Sequence, residues 1–140
     1  MSVKLKKRKL PKEIFLSHAS GDRQFASRLA GLLRKKGIPV WYSQTNLRGA
    51  QEWQKEIGKA LSRCDWFVVI LSPKSVKSVW VDRELSFALN QIHYRNKIVP
   101  ILLRKCNHQK LNWTLASFQM VDFSKSFSKG LPELLKIWKF

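Results

Sequence analysis

The sequence predicts an α/β fold: a doubly wound, mostly parallel five-stranded sheet with helices on both faces. Three observations predict it. Short apolar runs alternate with amphipathic segments of helical period, in the order βαβαβαβ(α)βα. One run, Trp66-Phe67-Val68-Val69-Ile70-Leu71, is apolar without alternation, the pattern of a strand covered on both faces. And 140 residues, 44% of them hydrophobic, suffice for a single domain with one core.

Each element has its own signal. Glu13-Ile14-Phe15-Leu16-Ser17 reads as the first strand, ending in polar residues and Gly21. From Asp22 the period becomes helical, with Phe25, Leu29, Leu32 and Leu33 on one face, Arg34-Lys35-Lys36 at the negative end and Gly37 as the stop. Ile38-Pro39-Val40-Trp41-Tyr42 is a second short strand. The loop from Ser43 to Ala50 leads to a second helix carried by Trp53, Ile57, Ala60 and Leu61. After the central strand, Ser78 is placed to cap a third helix from Val79 to His93, with Val81, Leu85, Ala88, Leu89 and Ile92 as its core stripe. Ile98 to Leu103 is a fourth strand, in which Pro100 argues for a place near the sheet edge. Residues 104–117 carry no clear pattern. Phe118 to Val121 predicts a fifth strand, and Leu131 to Trp138 a closing helix with Pro132 in its first turn.

Composition removes several function classes. There are 27 Lys+Arg against 9 Asp+Glu, a formal charge of +18, and a third of the surplus (Lys4, Lys6, Lys7, Arg8, Lys9, Lys12) precedes the first strand. The division expected is a basic arm over residues 1–11 and one domain over residues 12–140. Such a field attracts phosphates without selecting nucleic acid, anionic lipid or nucleotide. No apolar run approaches the ~20 residues that span a bilayer, so no membrane partner is expected. Cys64 and Cys106 make no disulfide framework, which suits a reducing cytoplasm, and His18, His93 and His108 match no metal spacing. No metal is expected.

In such folds the working crevice lies at the carboxyl ends of the strands. That rule selects Ser17–Asp22, Ser43–Gly49, and Ser72–Ser78 with the start of the third helix. Among flavodoxin-like folds, a phosphoacceptor receiver needs acids after the first strand and an Asp ending the third. Here those strands end in Ser17-His18 and Leu71-Ser72, which rejects that chemistry. Gly21, Gly31, Gly37, Gly49 and Gly58 form neither GxGxxG nor a P-loop. With only nine acids in the chain, Glu84 stands out by its address. It lies in the first turns of the helix after the central strand and shares a face with Trp80 at i and i+4, apart from the Val81–Leu85–Ala88 stripe. A carboxylate beside an indole suits a cationic, aromatic substrate. The plain alternative is packing plus a solvated charge favoured by the helix dipole.

These residues resemble a TIR domain. The matching pieces are Ile14-Phe15-Leu16-Ser17-His18-Ala19-Ser20 with Asp22, Val40-Trp41, and Leu47-Arg48-Gly49. They continue with Val68-Val69-Ile70-Leu71-Ser72-Pro73, Ser78-Val79-Trp80 with Glu84-Leu85, and Ile98-Val99-Pro100-Ile101. They run in family order over about residues 12–122, and the Ser-His-Ala-Ser opening is similar to the bacterial branch. The resemblance implies an enzyme that cleaves NAD⁺ at the nicotinamide–ribose bond, giving nicotinamide and ADP-ribose or a cyclic isomer, in immune or antiviral signalling and on self-assembly. NAD⁺ is then substrate, and no cofactor is implied. The family's catalytic glutamate, in Trp-x-x-x-Glu, falls on Glu84. The implied substrate contacts are Ser17, Ala19 and Ser20 after the first strand, Ser43, Leu47, Arg48 and Gly49 after the second, and Trp80. Many relatives carry Asp where this chain has Ser43.

Other readings stand beside this one. The chain could serve as a non-catalytic module that assembles with other TIR domains through residues 44–50. Nucleic acid is a partner suggested by charge alone, against which stands a merely solvated basic surface. A nucleoside deoxyribosyltransferase shares the use of a glutamate on a similar fold, but its motifs are not visible.

Overall fold

The computed structural model describes residues 10–43 and 50–138, with backbone only for residues 50–52. Five strands, β1 (Ile14–Ser17), β2 (Val40–Tyr42), β3 (Trp66–Leu71), β4 (Ile98–Leu102) and β5 (Val121–Asp122), form one sheet in the order β2-β1-β3-β4-β5. Every pairing is parallel, so the sheet is wholly rather than mostly so. The helices are α1 (Arg23–Lys35), α2 (Ala50–Arg63), α3 (Val79–Leu89) and α4 (Phe127–Ile137).

Period-two alternation sorts the strand residues onto two cores. Ile14, Leu16, Val68, Ile70, Val99 and Ile101 pack with α1 and α4. Phe15, Phe67, Val69 and Leu71 pack with α2 and α3. Both faces of β3 are therefore buried, as its unbroken apolar run requires. The same alternation carries Ser17, two residues after Phe15, to the side that α2 and α3 cover. Gly37 closes α1 with φ +84°, the left-handed conformation that glycine adopts without a Cβ penalty.

The structure corrects several expectations. In α1 the small residues Ala26 and Ala30 complete the buried face, while Leu32 is only half-buried. The third helix ends at Leu89 rather than His93, and Ile92 is 89% exposed instead of lining the core. Tyr94 takes its place, fully buried with its hydroxyl donating to Leu61 O at 2.6 Å. Ending the helix lets one aromatic ring bury both its apolar surface and its polar end. β4 lies one place in from the edge. Leu103 N–H bonds toward β3 and Leu102 O toward β5, so alternation turns the missing N–H of Pro100 to the β5 side, below the level at which β5 begins at Ile101–Val121. The fifth strand is Val121–Asp122, later than Phe118–Val121. Residues 104–117 contain two 3-10 turns, His108–Lys110 and Trp113–Ser117.

The closing helix begins at Phe127, not Leu131, because Ser126 caps it by accepting from Lys129 N at 3.2 Å. Pro132 therefore lies inside α4, where it removes one helical hydrogen bond. Gly130 of α4 is buried against Phe123, and a Cβ there would lie 2.5–2.7 Å from the ring. That ring is itself held edge-on by Phe25 and Phe127 at 5.3 and 5.4 Å. Alanine ordinarily favours a helix over glycine, yet here overpacking decides the sign. Gly130→Ala is expected to destabilise the fold by about 1–3 kcal/mol in chemical denaturation.

Candidate active site

Three chain segments meet at the carboxyl end of the sheet. β1 delivers Ser17 at its last position, β3 is followed at once by Ser72, and α3 carries Glu84. Ser78 sets the start of α3 by accepting from Val81 N at 3.2 Å, which places Glu84 in its second turn. Glu84 is only 5% exposed, and its carboxyl accepts a 2.7 Å hydrogen bond from Ser17 Oγ. Burial pushes its pKa up from 4.5 to about 7, and the Ser17 hydroxyl pulls the other way by favouring the carboxylate. Among the described residues no cation pairs with it. A solvated charge at a helix start is thus not what the fold builds.

Trp80 lies one turn before Glu84 and is half-buried. Its ring meets Trp53 of α2 at 4.3 Å between centroids, 61° between planes, and the Arg83 guanidinium lies 5.4 Å from it. Trp53 Nε1–H in turn donates to Ser43 Oγ at 2.8 Å, just past β2. A line of contacts, Ser43–Trp53–Trp80, therefore connects the exit of β2 to the helix that holds the carboxylate. The departure from Asp at position 43 is chemically coherent here, since the serine hydroxyl accepts the indole N–H.

A second set of buried polar groups stiffens the same end. The 3-10 turn Ser20–Asp22 sends Asp22, 8% exposed, under the end of β3, where its carboxylate accepts from Ser72 Oγ. Ser72 N–H donates to Ser75 Oγ at 2.8 Å, Ser75 N–H returns to Ser72 Oγ at 3.1 Å, and Ser75 Oγ–H donates to Ser72 O at 3.1 Å. Each hydroxyl is used as both donor and acceptor, which removes the cost of burying it. Lys74 lies across Gly21 so closely that its stem and Nζ occupy the space a Cβ would need. His18 sits edge-on to Tyr42 at 5.8 Å, and burial holds its pKa below the ordinary value.

Of the residues predicted for the site, Ser17 and Glu84 are in direct contact, and Trp80 and Ser43 are joined to each other through Trp53. Ala19 is buried beneath the turn and Ser20 is exposed on it. Leu47, Arg48 and Gly49 lie outside the described residues. Sequence reasoning placed Trp53 only as a core-stripe residue and did not give Ser72, Ser75 or Lys74 roles. An indole at the edge of an amphipathic stripe, with an N–H to satisfy, was the available signal for Trp53. Chemically, the arrangement offers a desolvated carboxylate near an indole, suited to positive charge developing on a bound sugar.

Comparison with known proteins agrees with this fold. Residues 14–135 match the TIR domain family. A 2' cyclic ADP-D-ribose synthase of Bacteroides thetaiotaomicron is 35% identical over 91 residues, covering 64% of this chain and 32% of that protein. An NAD(+) hydrolase of Paracoccus denitrificans is 36% identical over 128 residues, covering 89% of this chain and 42% of that protein. The chain thus spans about a third to two-fifths of the length of these curated relatives. The TIR domain of a Toll-related receptor from Hydra magnipapillata superposes with a TM-score of 0.72 at 20% identity, covering 91% of this chain and 98% of that one, a likeness of fold. With the family match running from the first residue of β1 to within α4, and the sheet order and crevice as described, this chain belongs to the TIR domain family.

Proposed function

We propose that this chain cleaves NAD⁺ at the nicotinamide–ribose bond, with Glu84 as the catalytic carboxylate. The observation that carries the reading is the burial of Glu84 against Ser17 without a counter-cation among the described residues. A pure assembly module has no use for a carboxyl kept at a cost to stability, whereas a site in which positive charge develops on a bound sugar does. Relatives named as NAD(+) hydrolase and cyclic ADP-D-ribose synthase support the same chemistry.

The bond that breaks joins C1 of the ribose to the ring nitrogen of nicotinamide, and its electron pair returns to that nitrogen. The leaving group is cationic in the substrate and neutral afterwards, so no general acid is needed. Positive charge then builds on the ribosyl carbon and ring oxygen. The Glu84 carboxylate opposes it, which is one half of the two-carboxylate apparatus of ordinary glycosidases. Water captures the cation to give ADP-ribose and a proton; capture by an atom of the same ADP-ribose gives a cyclic isomer. Trp80 provides a face for the nicotinamide or ribose. Ser17, Ala19 and Ser20 flank the sugar, and Lys74, beside that turn, supplies charge for the pyrophosphate. Ser43, Leu47, Arg48 and Gly49 complete the substrate contacts after β2. Self-association with other TIR domains, cytoplasmic work in immune or antiviral signalling, and a basic arm over residues 1–11 outside the catalytic domain belong to the same reading.

The test is chromatography of the products after concentrated and assembled protein is incubated with NAD⁺. Release of nicotinamide that Glu84→Ala abolishes supports the enzyme; no release from either form leaves the assembly module. Ser17→Ala provides a finer check. Losing the donor that favours the carboxylate raises the Glu84 pKa further, so the rising limb of the pH–rate profile is expected to move up by roughly one pH unit or more. An unmoved limb would separate Ser17 from the titrating group.

A further inference from the structure

The charge surplus is not consumed by the crevice. At the opposite, amino-terminal end of the sheet lies a cleft of about 960 Å³, lined among others by Lys12, Trp66, Arg95, Lys97 and Gln119. That is near the upper end of the roughly 300–1,000 Å³ typical of ligand sites. It runs on into a second cavity of about 630 Å³ that shares Arg95, Asn96, Ile98 and Gln119 with it. Among the described residues Lys12, Arg95 and Lys97 have no ion-pair partner. Among the described residues that line the cleft the one carboxylate is Asp65, which accepts from the backbone N–H groups of Lys12 and Glu13, each at 3.0 Å. Leu10 also lines the cleft, and in sequence it directly follows Lys4, Lys6, Lys7, Arg8 and Lys9.

The cations are presented by a fixed turn. Lys97 N–H bonds to Tyr94 O at 2.9 Å, Arg95 has φ −59° and ψ 125°, and Asn96 has φ 62°. This is a type II turn, with asparagine in the left-handed position usually given to glycine. It is anchored by the fully buried Tyr94, whose hydroxyl is tied to Leu61 O. Arg95 and Lys97 thus flank a rigid corner, with Trp66 half-exposed beside them and held edge-on by Trp138 at 5.5 Å.

The geometry points to a second binding site in this cleft, for the sugar–phosphate backbone of single-stranded nucleic acid. A positive groove with an aromatic ring and amide side chains is the combination that tracks a strand and stacks its bases. The bases of a duplex are already stacked on one another and paired, so a protein ring in the cleft favours an unpaired strand, whose bases are free to stack on it. The site stands apart from the catalytic crevice and does not depend on NAD⁺ cleavage.

The test is fluorescence anisotropy of the full chain with short labelled oligo(dT) and oligo(rU) over a salt series. Arg95→Ala/Lys97→Ala is expected to weaken binding by about tenfold and to lower the salt slope by about 1.4, about 0.7 for each phosphate of the strand that is no longer neutralised. Lys55→Ala/Lys59→Ala, which removes equal charge from the exposed face of α2, should change binding far less. Thermal melting of both variants checks that the substitutions leave the fold intact. Equal losses in the two double variants would reduce the effect to net charge and overturn the site. So would unchanged binding by Arg95→Ala/Lys97→Ala with loss only on deleting residues 1–9. Anionic phospholipid vesicles bound in place of either oligonucleotide would overturn it as well.

Discussion

Glu84→Gln is expected to slow nicotinamide release from NAD⁺ by about 10³-fold, with KM changed little. Glutamine keeps the shape of the side chain and an oxygen to accept from Ser17 Oγ, so the fold and the crevice survive. What disappears is the charge. If the carboxylate acts on the ribosyl cation, which exists only near the transition state, the loss falls on kcat rather than on binding. Steady-state rates by chromatography separate the two constants, and a variant within tenfold of the wild type would remove Glu84 from the chemistry. The pH profile gives a second signature. Burial raises the Glu84 pKa to about 7, so the active, ionised form accumulates as pH rises through neutrality and the rate climbs with it. The residual rate of the glutamine variant should lack that limb.

The parts of the fold that were legible are those where one local signal agrees with the global packing. The six apolar residues of β3 could only be a doubly covered strand, and they split cleanly onto two cores. Ser78 caps α3 and Gly37 ends α1 in the left-handed conformation, because capping chemistry is local and specific. The misplacements occurred where other contacts overruled a local pattern. Ile92 continued a helical stripe, but the helix stops before it so that Tyr94 can be buried with an acceptor for its hydroxyl. Pro132 resembled a helix start, but the Ser126 cap begins α4 about one turn earlier, at Phe127. The address of Glu84 was legible. Its burial was not, because that depends on β1 bringing Ser17 to the same spot from 67 residues away in sequence. Trp53 and Trp80 likewise met only through the packing of α2 beside α3.

The same carboxyl should leave a mark on stability, opposite in direction to its effect on rate. In the unfolded chain Glu84 titrates near 4.5, and in the folded protein near 7. Below about pH 4.5 both states hold the proton and the fold keeps its full stability. Between the two values the unfolded chain has released the proton while the folded one retains it, so stability falls as pH rises, by about 1.4 kcal/mol per unit. Above about pH 7 the loss is complete, on the order of 3 kcal/mol. Glu84→Gln does not titrate and escapes that loss, although its amide N–H groups need acceptors and offset part of the gain. Urea denaturation of the two proteins at about pH 5 and pH 8 isolates the effect. Other shifted groups, such as His18 and Asp122, are common to both proteins and cancel in the difference. The variant is expected to gain on the wild type by about 2–3 kcal/mol between those two conditions. A difference that stays constant with pH would mean that the Glu84 carboxyl is not desolvated in the folded protein. A gain in stability coupled to a loss of turnover would instead mark the carboxyl as held in its unfavourable place by function, since packing alone has no need of an ionisable group there.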